Sequence, residues 1–129
     1  MSLSATASAP STQPDPGIVL AKATLKAATL LGFTGTVLGK VVGLSEASIS
    51  RIGMGGRPLQ PNTKEGELAA LLVRSFSALD AMVGNDPQRR IAWLTSHNQA
   101  LNGTPKELMQ SVQGLVHVTA YLDSMRTKL

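Results

Sequence analysis

The sequence predicts an all-α protein, and three observations support that fold class. Apolar residues recur at steps of three and four from Gly17 onward, glycines and prolines divide these stretches at short intervals, and no stretch shows sustained alternation of apolar and polar residues. Short β-strands could compete only at residues 18–20 and 37–42. We therefore predict six or seven helices and no β-sheet.

The composition of the 129-residue chain narrows the class of protein further. Its hydrophobic fraction is 43% and its charged fraction 16%, as in globular proteins. The absence of cysteine excludes a disulfide scaffold, a thiolate zinc site and a cysteine nucleophile. No apolar run approaches the ~18 residues that a membrane span requires. A net charge of +4 is compatible with an anionic partner, and we expect a cytoplasmic location.

Residues 1–16 differ in composition from the rest of the chain. They are rich in Ser, Thr, Ala and Pro, with Asp15 as the one charged side chain, so they offer too little apolar surface to offset the entropy of ordering. The segment Ala7-Ser8-Ala9 has the form of a signal-peptidase site, but no basic start or continuous apolar region precedes it, which disfavours secretion. We expect a flexible tail.

Residues 17–60 have the pattern of a helix-turn-helix unit. Gly43 lies at the predicted turn, where a left-handed backbone is often required, and Ser45 follows as a good N-cap for the next helix. In order, we predict a helix at residues 17–31, a second at 34–42, a third from 45 to 52, and an extended linker at 57–61.

The third of these helices is the candidate recognition helix for DNA. Leu44 and Ile49 are expected to pack against the second helix, which leaves short hydroxyls and one arginine toward solvent. Such side chains suit a major groove, where arginine contacts guanine and serine reaches phosphates or bases. The candidate DNA-binding residues are Lys40, Ser45, Glu46, Ala47, Ser48, Ser50, Arg51 and Arg57.

The distribution of charge agrees with this prediction. Residues 17–60 contain five basic side chains and one acidic side chain, whereas residues 61–129 contain seven basic and six acidic ones. The positive excess therefore lies on the half that would dock on DNA. A small helical bundle also has short helices and glycine turns, and its exposed charges would then simply be solvated. Both interpretations stay open at this point.

Residues 61–129 predict four further helices. The longest begins near Asn62 or Thr63 and carries an apolar stripe from Leu68 to Val83, which is compatible with a core between the two halves or with a dimer interface. The next runs from Pro87 to about residue 97 and is followed by a polar turn at 98–104. Thr104, Pro105 and Glu107 predict a capping box at the start of a short helix, and the last helix covers about 114–125.

Several motifs in the second half resemble the C-terminal toxin-binding domain of the Xre/MbcA/ParS antitoxin family. They are Ala92-Trp93-Leu94, then Leu101-Asn102-Gly103-Thr104-Pro105-Lys106-Glu107-Leu108, then Gly114, with Val118 and Leu122 in the last helix. Upstream, residues 45–51 and 68–84 are similar to the Xre-like region of that family. The chain departs from the family pattern at Asn102, where glycine is usual, and at Lys106, where leucine is common.

The resemblance implies an antitoxin of a type II toxin–antitoxin system. Such a protein covers the active site of a cognate toxin, commonly a RES-domain enzyme that consumes NAD, and often represses its own operon. The implied partners are that toxin, operator DNA and a second copy of the chain, with no cofactor, metal or membrane. The implied toxin contacts are Asn98, Leu101, Asn102, Gly103, Thr104, Arg126 and Lys128.

With this resemblance, the chain divides into four predicted regions. They are a flexible tail at 1–16, a helix-turn-helix DNA-binding region at 17–60, a connecting or dimerisation helix at 61–84, and a toxin-binding domain at 85–129. A homodimer is expected because small helix-turn-helix units gain affinity by pairing half-sites.

Other functions have less support in the sequence. His97 and His117 lie twenty residues apart with no carboxylate pattern around them, so we expect no metal site. No Gly-x-Ser-x-Gly elbow occurs, and residues 53–57 lack the Gly-Lys-Ser/Thr ending of a phosphate loop, so we expect no enzyme. Trp93 is interpreted as a core anchor. The alternative function is a stand-alone helix-turn-helix transcriptional regulator.

Overall fold

The structure, a computed structural model, describes residues 15–128, and in this range the chain is helical. Apart from one isolated bridge between Asn98 and Gly103, the described residues contain no β-structure, so the all-α prediction is confirmed. The helices are α1 (Pro16–Leu30), α2 (Gly35–Val42), α3 (Glu46–Gly53), α4 (Lys64–Met82), α5 (Pro87–Thr95), α6 (Pro105–Leu108) and α7 (Val112–Arg126).

The start of the fold differs from the sequence prediction. Asp15 and Pro16, which were assigned to the tail, begin α1: the Asp15 carboxylate accepts a hydrogen bond of 2.7 Å from the backbone N–H of Gly17, and Pro16 occupies the first helical position. A proline costs nothing there, because that N–H has no intrahelical partner. The segment Ala7-Ser8-Ala9 and the rest of the predicted tail up to residue 14 lie outside the described residues.

Side-chain caps begin most of the helices. The N-cap side chains that accept a backbone N–H are Asp15, Thr34, Ser45, Thr63, Asp86 and Ser111. Thr104 is the exception: its backbone is extended as in a cap, but its hydroxyl accepts no bond, so the predicted capping box with Glu107 is wrong. The buried Pro105 fixes the start of this one-turn helix without that bond.

The long helix α4 packs against both halves of the molecule. It contacts α1 and α2 on the helix-turn-helix side and α7 on the other side. The predicted stripe supplies these contacts, with Leu72, Leu79 and Val83 almost fully buried. Within one chain, most of the stripe therefore belongs to a core that joins the two halves.

Helices α4 and α7 begin with the same local structure. The hydroxyl of Thr63 accepts the N–H of Gly66 at 3.1 Å, and the hydroxyl of Ser111 accepts the N–H of Gly114 at 3.1 Å. In both helices the backbone carbonyl three residues before the cap lies against the glycine, and a Cβ atom at that glycine would overlap the carbonyl oxygen. Both positions therefore require glycine for close approach of the backbone.

A buried arginine connects the end of α4 with α1 and α5. Arg90 is 5% exposed, and its guanidinium donates to the Asp80 carboxylate at 2.8 and 3.3 Å and to the Leu30 carbonyl at 3.1 Å. The guanidinium carbon also lies 5.5 Å from the centre of the Phe76 ring. The charge is thus fully partnered, which is the condition for burying it.

The side chain of Trp93 is partly buried and packs against the hydrophobic core, as expected for a core anchor. Its ring stacks on that of Tyr121, with centroids 6.3 Å apart and planes at 17°. This contact holds α5 against the second half of α7.

Candidate functional site

The turn between α2 and α3 depends on two glycines. Gly43 has φ of 76°, which confirms the left-handed turn predicted from the sequence. The backbone N–H groups of Gly43 and Leu44 both donate to the Gly39 carbonyl, at 2.8 and 2.9 Å. A Cβ at Gly39 would lie 2.6 Å from the Leu44 carbonyl oxygen, so Gly39 is required as well. The sequence did not indicate this need, because it arises from how closely the turn folds back on α2.

Helix α3 presents a polar surface to solvent. Ile49 is buried against α2, as the sequence predicted. The predicted DNA-binding residues that are exposed here are Ser45, Glu46, Ala47, Ser50 and Arg51. The candidate recognition helix is therefore accessible along this face, and Lys40 near the end of α2 is exposed as well.

Ser48 does not face solvent, contrary to the sequence prediction. It is 7% exposed, and its hydroxyl oxygen is the meeting point of three polar side chains. Arg51 donates to it at 3.1 Å, Arg57 donates at 2.8 Å, and the Ser45 hydroxyl oxygen lies 3.1 Å away. The linker that carries Arg57 folds back over α3 and covers Ser48, so this serine positions the two arginines.

An acidic side chain at the start of α4 lies close to Arg57. The Arg57 guanidinium lies 4.0 Å from the Glu65 carboxylate at the start of α4, and the two side chains are 32% and 28% exposed. Leu59 anchors the linker, because it is 1% exposed and its N–H donates to the Gly17 carbonyl at 3.0 Å.

The candidate DNA-binding residues thus form two groups. Lys40, Ser45 and Glu46 line one shallow depression on α2, the turn and the start of α3. Arg51 and Arg57 meet at Ser48, and Ser45 belongs to both groups through its contact with that serine. Ala47 and Ser50 lie on the exposed surface of α3.

The polar turn before α6 is a small closed loop. The backbones of Asn98 and Gly103 pair through hydrogen bonds of 2.9 and 3.2 Å, and the Asn98 side chain accepts the N–H of Leu101 at 3.0 Å. Asn102 is exposed at φ of 55°, a conformation that asparagine tolerates better than most residues, which explains how it replaces the usual glycine.

The structure separates the predicted toxin-binding residues. Leu101 is 4% exposed, so it is a core residue that anchors the loop, and the prediction that it faces a partner is wrong. Asn102 is exposed, and the side chains of Asn98 and Thr104 are partly exposed. Arg126 and Lys128 are also exposed, but they lie on a different element, at the end of α7. Gly103 is half-buried below the loop tip.

Helix α7 carries an apolar surface that the sequence analysis did not single out. Val112 and Val116 are 57% and 49% exposed. Val116 borders two concave surfaces. One is a groove lined also by Leu71, and the other is an open depression of about 630 Å³ lined also by Leu108 and His117. The signal in the sequence was their four-residue spacing, since residues so spaced share one helix face.

The described residues hold neither a cluster of metal-binding side chains nor a helix that could span a membrane. Among residues 15–128, no three acidic or histidine side chains cluster as a metal ion requires. None of the helices in that range combines the length and the apolar character needed to cross a bilayer.

Two family models match the chain. The antitoxin Xre-like helix-turn-helix domain matches residues 12–74, and the antitoxin Xre/MbcA/ParS C-terminal toxin-binding domain matches residues 78–128. The first match contains α1, α2 and α3, the second contains α5, α6 and α7, and the two adjoin inside α4. No curated protein matches the chain.

Proposed function

Because the chain belongs to the Xre/MbcA/ParS family of antitoxins, we propose that it neutralises a cognate toxin and represses its own operon. The toxin in this proposal is a RES-domain enzyme that consumes NAD, and the antitoxin acts by covering its active site in the cytoplasm. The observation that carries the proposal is the succession of the two matched domains along a single chain.

The proposed division of labour follows the regions predicted from the sequence. Residues 17–60 bind operator DNA, residues 61–84 connect or dimerise, and residues 85–129 bind the toxin. The core position of the α4 stripe supports the connecting role of residues 61–84. A homodimer would place two copies of α3 on successive half-sites, which raises affinity for an operator.

We place the toxin contact on the exposed part of the loop at 98–104 and on α7. Stable protein interfaces have an apolar centre with a polar rim. Val112 and Val116 offer the apolar centre, and both lie within the segment that matches the toxin-binding model. The rim comprises Asn98, Asn102, Gly103, Thr104, Arg126 and Lys128.

The test is co-expression with the product of the neighbouring gene. We expect that product alone to arrest growth and lower cellular NAD, and we expect the chain to restore both. A harmless neighbour, or a chain that does not restore growth, would remove the antitoxin function. Growth arrest without a fall in NAD would remove only the assignment of a RES-type toxin.

A gel-shift with the chain's own promoter tests the repressor role separately. Binding at ~100 mM salt supports operator recognition. Binding to the promoter without any rescue of growth would favour the alternative, a stand-alone regulator.

A further inference from the structure

We propose that Arg51 and Arg57, held together by Ser48, form a binding site for one phosphodiester group of duplex DNA, and that Arg51 does not contact a base. The inference rests on the DNA binding proposed above and assigns these residues a different role from the guanine contact that the sequence suggested. It follows from the geometry around Ser48, from the open surface beside it and from the position of Glu65.

The two guanidinium groups converge on a single oxygen atom. Their donor nitrogens lie 3.1 and 2.8 Å from the Ser48 hydroxyl, and hence within about 6 Å of each other, where two positive charges repel. One anion between them would replace that repulsion by attraction to both. Each arginine donates one N–H group to Ser48. Its other N–H groups can hold phosphate oxygens in the forked geometry that guanidinium favours, although the second terminal nitrogen of Arg57 also lies 4.0 Å from the Glu65 carboxylate.

The same geometry disfavours a base contact by Arg51. A side chain that contacts a base edge must extend from the helix into the groove. The Arg51 side chain instead turns back along α3 to Ser48, one turn earlier in the same helix. The buried position of Ser48 fixes this direction, because the serine is 7% exposed and its hydroxyl cannot follow the arginine outward.

The segment between the two arginines leaves room for a phosphate backbone. Gly53 and Gly55 have open space where a side chain would stand, and Gly55 has a φ of 80°, which glycine adopts without strain. The Gly56 N–H donates to the Arg51 carbonyl at 2.9 Å, which holds the segment against the end of α3. Residues 53–56 do not fit a nucleotide-binding loop. Their glycines at 53 and 55 leave open space beside the two cations, and the side chain of Met54 between these glycines is 82% exposed.

The Glu65 carboxylate would compete with a bound phosphate for the Arg57 guanidinium. Its carboxylate lies 4.0 Å from the Arg57 guanidinium, and both side chains are partly exposed. A phosphate that approaches Arg57 meets repulsion from this carboxylate. Removal of the Glu65 charge should therefore strengthen binding, and a gain of affinity cannot result from a misfolded variant.

The test measures binding of two fluorescent duplexes, the chain's own promoter and an unrelated sequence of the same length, at ~50–200 mM salt. For Arg51→Ala and for Arg57→Ala we expect a loss of affinity by the same factor on both duplexes, and a salt slope smaller by about one. For Glu65→Gln we expect affinity several-fold higher on both. Arg89→Ala, an exposed arginine on α5, is the matched control and should behave as wild type.

Two results would overturn the phosphate site while DNA binding stands. One is an Arg51→Ala variant that loses its preference for the promoter duplex with an unchanged salt slope, since that behaviour marks a base contact. The other is a Glu65→Gln variant that binds no more tightly than wild type. If the wild-type chain binds neither duplex, both the DNA-binding proposal and this phosphate site are wrong. The antitoxin function is then still tested by the growth assay.

Discussion

Helices α3 and α7 differ in the surfaces that they expose, and they pack on different elements: α3 contacts α2, whereas α7 contacts α4 and α6. Around α3 the exposed side chains include Glu46, Ser50 and Arg51 as well as the apolar Met54, and two arginines meet at a buried serine. On the buried side of α7, the Thr119 hydroxyl oxygen lies 2.6 Å from the Ser75 hydroxyl oxygen of α4. On its exposed side, α7 presents Val112 and Val116. A surface of the first kind suits a charged polymer, and one of the second kind suits another protein.

The two halves thus differ in the surfaces that they expose, although they share one hydrophobic core. The core passes from the helix-turn-helix half to the C-terminal half through α4, and the two family matches adjoin within that helix. We therefore expect substitutions in the shared interior to affect both halves, and substitutions on one surface to affect one function.

The largest expected effect comes from Arg90, which links the two halves. Arg90→Ala leaves the Asp80 carboxylate and the Leu30 carbonyl without their main partner, so we expect the free energy of unfolding to fall by about 3 kcal/mol in urea denaturation. We also expect a single transition, because the core is continuous. Two separate transitions would show that the halves unfold independently.

A second arginine–aspartate pair provides the matched control for Arg90. Arg74 and Asp123 are 2.6 Å apart, closer than Arg90 and Asp80 at 2.8 Å, but the Arg74 side chain is 63% exposed against 7% for Arg90. We expect Arg74→Ala to cost less than about 1 kcal/mol because solvent already screens that pair. Equal losses in both variants would contradict the role assigned to burial.

The next effect concerns the shared start of α4 and α7. Gly66→Ala and Gly114→Ala each force a Cβ atom into a backbone carbonyl, so we expect each to lower the unfolding free energy by about 2 kcal/mol. Gly53→Ala is the control, since no atom lies within 4 Å of its added Cβ, and it should change stability by less than about 0.5 kcal/mol. Unchanged stability of Gly114→Ala would refute the close approach described here.

A smaller effect separates the two surfaces. Val116→Asp places a charge in the proposed toxin contact, and we expect the Kd for the toxin to rise at least tenfold, or about 1.4 kcal/mol. Val19→Asp on α1 is matched in exposure, at 48% against 49%, and should leave toxin binding unchanged. Titration calorimetry with the purified neighbouring gene product measures both. Equal weakening by the two variants would show that the toxin does not select α7.

The elements of the fold were predictable because they depend on local pattern. The apolar spacing on α4 and the glycine at position 43 act over a few residues, and the structure confirms both. The family was predictable for a similar reason, since the motif around Gly103 and Pro105 is short and contiguous.

The predictions that were wrong depend on contacts made over longer distances or on single side-chain directions. Ser48 is buried because Arg57, nine residues later, folds back over it. Leu101 is buried because the closed loop at 98–103 points it into the core, whereas a polar turn in the sequence suggested exposure. The pattern of α3 and of the loop contains neither fact, so part of the candidate site could be assigned only from the structure.

Hydrogen exchange of the backbone amides reports which half of the chain each partner covers. We expect the neighbouring gene product to slow exchange in residues 85–128, and in α7 above all. We expect the promoter duplex to slow exchange in α3 and in residues 53–57. Slower exchange at α3 on addition of the toxin, with α7 unchanged, would contradict the assignment of the two surfaces.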